Sequence, residues 1–230
     1  MGYFIYKDTT TPVKGVLFDM DGVILDTEKL YARFWMEACH ALGYPMTYEQ
    51  ALGMRSLNAQ AGQAKLESYF GPGISREAVR NKRVELMDAY IDIHGVVPKP
   101  GVYELLDFLH QQGIPAAITT SSPMDRAERY LKPLDLWHRF DCICTGYDVM
   151  RGKPEPDIYL YGANCLGLPA EACLAIEDSP AGIQSAYRAG CMAVLVPDLD
   201  SADVQMRKQL FAEADSLHDI IHIICYINNK

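Results

Sequence analysis

One short apolar run, followed at once by two acidic residues, constrains the fold of this chain more than any other stretch. Residues 15–18, Gly-Val-Leu-Phe, end at Asp19, which is typical of a strand buried on both faces of a parallel sheet. Because side chains alternate along a strand, Asp19 and Asp21 are expected on the same side, and Gly22 lets the chain turn afterwards. Two carboxylates this close repel each other, so one must hold a proton or a cation must neutralise the pair.

The same Asp-x-Asp pattern has two other interpretations. Acidic residues at the end of a strand also occur in ordinary solvated turns, and this interpretation stays open. A calcium-binding loop is rejected. Such a loop has its glycine in the sixth position and lies between helices, whereas Gly22 is fourth counting from Asp19 and follows a strand-like run.

Hydrophobic periodicity and capping residues divide the rest of the chain into a helical block and an alternating block. Helices without an intervening strand are predicted over 28–42, from Thr47 to Gly53, over 59–70 and over 75–94. After an extended linker at 96–101, strands are predicted over 114–119, 141–145, 173–177 and 191–196, separated by helices over 102–112, 124–132, 156–166 and 180–189 and followed by two further helices.

Strands that alternate with helices predict an α/β fold with a doubly wound, Rossmann-like parallel sheet. The helical block then reads as an insertion after the first strand. We therefore expect a catalytic core formed by 1–27 and 96–230 and an inserted α-helical cap domain over 28–95.

Ligands of such sheets bind outside the carboxyl ends of the strands, near the point where the strand order reverses. Polar groups follow four of the predicted strands: Asp19 and Asp21, the run Thr119-Thr120-Ser121-Ser122, the loop leading to Lys153, and Glu177-Asp178-Ser179. If the topology is correct, carboxylates, hydroxyls and one ammonium group meet in a single pocket.

Composition narrows the classes of partner. The chain has 230 residues, 49% of them hydrophobic, and a net charge of -9, which disfavours a nucleic-acid surface. No apolar run approaches the length of a membrane span, and the N-terminal apolar patch is too short for a signal peptide. Seven cysteines without Cys-x-x-Cys spacing indicate reduced, buried thiols. We expect a cytoplasmic protein that binds neither nucleic acid nor membrane.

Four motifs, in order along the chain, resemble those of the haloacid dehalogenase-like superfamily, in particular its phosphotransferase branch with an inserted helical cap. They are Phe-Asp-Met-Asp-Gly-Val at 18–23, Ala-Ile-Thr-Thr-Ser-Ser at 117–122, Gly-Lys-Pro-Glu-Pro-Asp at 152–157 and Ile-Glu-Asp-Ser-Pro-Ala-Gly-Ile at 176–183. One such motif is weak, but four in register across nearly the whole chain are specific.

The resemblance implies a role for each polar residue in phosphoryl transfer. Asp19 would attack phosphorus and form an aspartyl-phosphate, and Asp21 would act as general acid and base. Mg²⁺ would be held by Asp19, by the carbonyl of Asp21 and by Asp178. Thr120 would donate a hydrogen bond to the phosphoryl group, and Lys153 would place its charge on the same oxygens. The sequence does not decide whether Glu177 is a further ligand of the metal or supports the other ligands.

The resemblance implies that the cap selects the substrate and that this substrate is a small phosphorylated metabolite. Gly53 and Arg55 resemble the family's specificity loop, with Arg55 placed to clamp an anionic group. Ser121 and Ser122 are expected to contact the substrate as well.

The same plan belongs to beta-phosphoglucomutase, which must bind two phosphates. Here Pro123 and Met124 replace the Lys-Asn pair that the mutase uses for the second phosphate, and Tyr31 replaces a histidine. A phosphatase acting on a sugar phosphate or a nucleoside monophosphate is therefore preferred, with the mutase as the alternative.

More ordinary interpretations remain for the individual residues. Lys153 and Arg55 could be exposed loop side chains, Thr120 a turn hydroxyl, and Glu177-Asp178 the start of a helix. A protein of this fold that binds a phosphorylated ligand without turning it over is a third functional class.

Overall fold

The computed structural model describes residues 2–55, 57, 59–199 and 201–230, which form two compact units. The first unit runs to Leu25 and resumes over Pro98–Lys230, and the second is Asp26–Val97. The range expected to be a cap, 28–95, falls inside the second unit. Its function as a cap stays a prediction.

Within the described residues, the first unit contains a seven-stranded sheet that is parallel except at one edge. The strands are β1 Tyr3–Ile5, β2 Gly15–Phe18, β3 Ala116–Thr120, β4 Cys142–Thr145, β5 Cys173–Glu177, β6 Met192–Leu195 and β7 Ala212–Ala214. Their order across the sheet is β1-β7-β6-β5-β2-β3-β4, with β1 antiparallel to β7. The predicted α/β, doubly wound fold is confirmed.

The helices of the second unit are α1 Glu28–Ala41, α2 Tyr48–Leu52, α3 Ala59–Phe70 and α4 Arg76–His94. Those of the first unit are α5 Val102–Gln112, α6 Met124–Leu131, α7 Asp157–Cys165, α8 Pro180–Ala189, α9 Val204–Gln209 and α10 Leu217–Asn228, with short 3-10 turns at Lys132–Leu134, Trp137–Arg139 and Ala170–Ala172. Among the residues that the structure describes, no helix combines the length and apolar character that a membrane span requires.

Strand β2 lies in the centre of the sheet, between β3 and β5. The chain proceeds from β2 to β3 and β4 in one direction and then crosses back to β5 and β6 on the other side. In sheets of this kind such a reversal separates the loops that leave the two strands, and ligands bind between them at the carboxyl ends. Asp19, Thr120 and Glu177 therefore come to the same edge of the sheet.

Both faces of β2 are buried, as its apolar run predicts. Leu17 packs in one cluster with Tyr159 of α7 and Ile183 of α8. Phe18 points to the opposite face, where its ring meets that of Phe140 edge-on with the centroids 5.5 Å apart. Helices thus cover the sheet on both sides, and its polar loops are confined to the strand ends.

Strands β1 and β7 were not predicted. Each has only three residues, which is too short to display a period of two, and the Ala-Glu-Ala sequence of β7 has weak strand propensity. The two strands pair with Tyr3 opposite Ala214 and Ile5 opposite Ala212, so the N-terminal strand lies beside the last strand of the chain. Only tertiary pairing reveals such an edge.

The second unit is helical, as predicted, and its caps follow the sequence. The Thr47 hydroxyl accepts from the backbone N–H of Gln50 at 3.2 Å, while the Gln50 side chain accepts from the N–H of Thr47 at 2.9 Å. At the ends of this unit, the Asp26 N–H donates to the carbonyl of Val97 at 2.9 Å. The segment therefore closes on itself where it leaves the core sequence.

Candidate active site

A buried ammonium group bridges two carboxylates at the carboxyl edge of the sheet. The Nζ of Lys153 donates to Oδ1 of Asp19 and to Oε1 of Glu177, both at 2.5 Å. The Lys153 side chain is only 7% exposed, and that of Glu177 1%. This placement excludes the interpretation of Lys153 as a solvated loop lysine.

Two further hydrogen bonds hold Glu177, and a glycine leaves room for its carboxylate. The Tyr159 hydroxyl donates to Oε1 at 2.5 Å, and the Ser179 hydroxyl donates to Oε2 at 3.2 Å. Ser179 also accepts from the N–H of Gly182 at 3.2 Å and so caps α8. A Cβ on Gly182 would lie 1.9 Å from the Glu177 carboxyl carbon, so only glycine leaves room for this side chain.

Three buried carboxylates converge at this point and fit a hard divalent cation. Asp19, Glu177 and Asp178 each offer an oxygen, and these oxygens lie within 4.8 Å of one another. Mg²⁺ prefers carboxylate oxygens and substrate phosphate as ligands. Lys153 supplies one positive charge near three acidic groups, so the donor set carries excess negative charge that a cation would neutralise.

The electrostatics follow from burial and from these neighbours. Burial raises the pKa of Asp19 to about 7; the charges of Glu177 and Asp21 raise it too, and Lys153 opposes them. Burial lowers the pKa of Lys153, but the charges of Asp19 and Glu177 outweigh this effect, so its pKa is raised and it stays protonated. Burial and the Glu177 charge raise the pKa of Tyr159, which remains a hydrogen-bond donor.

Asp21, Thr120 and Ser122 form a second group of contacts at the same edge. The Ser122 hydroxyl donates to Oδ2 of Asp21 at 2.9 Å, which fixes the orientation of that carboxylate. The Thr120 hydroxyl accepts from the Ser122 N–H at 3.0 Å, so Thr120 does form the turn that the ordinary interpretation expects. Its own proton remains available to a ligand, since a hydroxyl donates once and accepts twice.

The remaining predicted residues are Ser121 of the first unit and Gly53 and Arg55 of the second. Ser121 is exposed. Gly53 ends α2 in the second unit, where the Nε of Arg55 donates to the carbonyl of Leu52 at 3.2 Å. The roles of Gly53, Arg55 and Ser121 in binding substrate stay predictions. Ser56, in the same loop, lies outside the described residues.

Sequence reasoning missed Tyr159 and Gly182. A tyrosine at the start of a helix that packs on a sheet needs a partner for its hydroxyl, and a glycine inside a helix indicates close packing. Both signals are present in the sequence, but neither one identifies Glu177 as the partner.

The comparisons with known proteins agree with this geometry. The profile of the haloacid dehalogenase-like hydrolase family matches residues 16–196. The chain belongs to this family. The expectation of an enzyme, a hydrolase of this family, is confirmed together with the resemblance inferred from the motifs.

Individual relatives of this hydrolase have sugar phosphatase names. Hexitol phosphatase A of Escherichia coli is 34% identical, over 80% of this chain and 82% of that protein. The phosphorylated carbohydrates phosphatase of Thermotoga maritima is 33% identical, over 77% and 82%. A crystal structure of beta-phosphoglucomutase from Clostridium difficile has a TM-score of 0.76 and covers 94% of this chain and 97% of its own, but at 22% identity it shows only the shared fold.

We predict that Gly182→Ala destabilises this hydrolase by roughly 1–3 kcal/mol, the usual range for overpacking, because the new methyl group displaces the Glu177 carboxylate. Denaturant unfolding measures the change. Gly152→Ala is the matched control, since a Cβ there meets no atom within 4 Å. Equal stability of the two variants would contradict the confinement of Glu177.

A second prediction concerns pH. A cation must displace the proton of Asp19, whose pKa is about 7, so the apparent Mg²⁺ affinity should rise with pH by up to about tenfold per unit below about pH 7 and level off above it. Isothermal titration calorimetry across this range measures the affinity and the protons released. An affinity that stays constant as the pH is lowered would contradict the combination of a raised pKa and metal binding at Asp19.

Proposed function

We propose that this hydrolase is a Mg²⁺-dependent phosphatase that hydrolyses a small phosphorylated metabolite, a sugar phosphate or a nucleoside monophosphate, through an aspartyl-phosphate. The observation that carries the proposal is the buried contact of Lys153 with Asp19, beside Asp178. The two relatives above, one named for hexitols and one for phosphorylated carbohydrates, favour a sugar or sugar alcohol phosphate.

In this proposal Asp19 attacks phosphorus and the ester bond to the leaving alcohol breaks. Covalent catalysis divides one difficult displacement into two easier steps. The Lys153 ammonium orients Asp19 and neutralises charge that develops on the phosphoryl oxygens. Thr120, with its hydroxyl proton available, donates to the same oxygens.

Asp21 moves the protons. Its carboxyl protonates the leaving oxygen in the first step and takes a proton from the attacking water in the second. The hydrogen bond from the Ser122 hydroxyl to Oδ2 of Asp21 keeps this carboxyl in one orientation for both steps. We therefore assign Ser122 to orienting Asp21 in addition to its expected contact with substrate.

The metal would be held by the carboxylates of Asp19 and Asp178 and by the carbonyl of Asp21. When bound, Mg²⁺ supplies positive charge to the phosphoryl oxygens. Both oxygens of Glu177 already accept hydrogen bonds from Lys153, Tyr159 and Ser179. These contacts favour a supporting role for Glu177, which fixes Lys153, over direct ligation of the metal.

We assign the choice of substrate to two parts of the chain. One is the second unit, which would act as a cap through Gly53 and Arg55, and the other is the pair of serines that follows β3. An arginine recognises the phosphate or the carboxylate of a ligand through paired hydrogen bonds. We propose a cytoplasmic location for this activity, with neither nucleic acid nor membrane as a partner, in keeping with the net charge of -9.

We predict that Asp19→Asn lowers kcat by roughly a thousandfold or more, as expected for the loss of a nucleophile, while the fold survives because the side chains have the same size. Phosphate release and circular dichroism measure the two effects. The matched control is Asp135→Asn, an exposed position with φ 58° that asparagine also tolerates. A variant that remains active, or that works without metal, would refute the mechanism.

The reaction class is tested with a panel of phosphorylated metabolites, scored for phosphate release with Mg²⁺ and with EDTA. We expect release from sugar phosphates that EDTA abolishes. Incubation of beta-glucose 1-phosphate with a bisphosphate primer should yield phosphate and little isomer, since Pro123 and Met124 lack the charged group that a second phosphate needs. Isomer as the main product would establish the mutase instead. Binding without any turnover would establish a non-catalytic protein.

A further inference from the structure

Three cysteines outside the carboxylate cluster lie together on β4 and at the end of α7. Cys142 and Cys144 are two residues apart on the strand and share one face, and Cys165 is the last residue of the helix. Their sulfur atoms all lie within 4.8 Å of one another. Cys144 is buried, Cys142 half-buried and Cys165 exposed, so the expectation of buried thiols holds for Cys144 and is wrong for Cys165.

The spacing of the sulfurs matches that of ligands on one metal ion. Two thiolates bound to a tetrahedral zinc ion at about 2.3 Å lie about 3.8 Å apart. The sulfurs of Cys142 and Cys144 are already 3.8 Å apart. Cys165 has at most about 1 Å to move to reach the same spacing, and its exposed side chain has the freedom to do so.

The ligand form of cysteine is the thiolate, and the neighbouring thiols affect one another's pKa. The hydrogen bond from the Cys144 thiol lowers the pKa of Cys142 to about 7 and outweighs its burial. The same contact, together with burial, raises the pKa of Cys144. A bound cation would displace the thiol protons, since metal binding to cysteine releases protons.

We propose that Cys142, Cys144 and Cys165 form a binding site for one soft, thiophilic metal cation. Thiolate ligands select ions such as Zn²⁺ and Cu⁺ over Mg²⁺. Three protein ligands complete the coordination of a trigonal ion. For a tetrahedral ion they leave a fourth position, which solvent reaches from the exposed side of Cys165.

The proposed site is distinct from the carboxylate cluster. Tyr159, which contacts Glu177, and Cys165 are six residues apart on α7, or about 9 Å along the helix axis. The two ends of α7 thus serve different groups, and the metal would tie the end of α7 to β4. The inference does not depend on the phosphatase activity.

The test titrates the reduced, full-length protein with Co²⁺ and follows the near-ultraviolet absorption that only sulfur-to-cobalt charge transfer produces. We expect one equivalent with this band, insensitive to excess Mg²⁺. Cys165→Ser, a substitution at an exposed position, should weaken Co²⁺ binding at least tenfold. Cys225→Ser, at a half-buried cysteine outside the cluster, should leave it unchanged.

A competing titration compares Zn²⁺ with Cu⁺. The ion that displaces Co²⁺ at the lower free concentration is the one that the site prefers. As a second measurement, the bound ion should slow alkylation of Cys165 by iodoacetamide at least tenfold, read by mass spectrometry, and leave the alkylation of Cys225 unaffected. The absence of a charge-transfer band, or an unchanged affinity for Co²⁺ in Cys165→Ser, would overturn the proposal.

Discussion

The buried ammonium of Lys153, held between Asp19 and Glu177, is the interaction on which the rest of the site depends. Charges removed from water cost several kcal/mol each unless their partners are close and well oriented. This requirement explains why Tyr159 donates to Glu177 and why α8 has a glycine against that carboxylate. Because acidic groups outnumber the single ammonium, the same cluster retains a demand for positive charge, and a divalent cation would supply it.

The fold tolerates this concentration of charge because the charged side chains come from separate elements. Asp19 follows β2, Glu177 ends β5, and Lys153 comes from the loop after β4, so no single strand has to accommodate all of the repulsion. Strands β2, β4 and β5 are apolar along their length, and their polar groups lie at or just beyond the carboxyl end. The hydrophobic core thus fixes the geometry of the site, while the loops supply its chemistry.

Much of this arrangement could be predicted from the sequence, because the signals are local. The apolar run before Asp19, the capping box at Thr47 and the glycines after helices each report their own element, and the order of strands and helices then limits the topology. The rest depends on contacts that the sequence does not encode locally. Tyr159 meets Glu177, and Cys165 meets Cys142, only because α7 packs against the sheet.

The junction of the second unit has a consequence for how such a chain can diversify. Its entry and exit, Asp26 and Val97, are joined by one backbone hydrogen bond, and the neighbouring residues Leu25 and Pro98 pair as a bridge in the first unit. The first unit therefore holds the two ends of the inserted segment next to each other. Grafting a different helical module between these two positions would alter neither strand order nor register, so the segment can be exchanged without a change to the fold of the first unit.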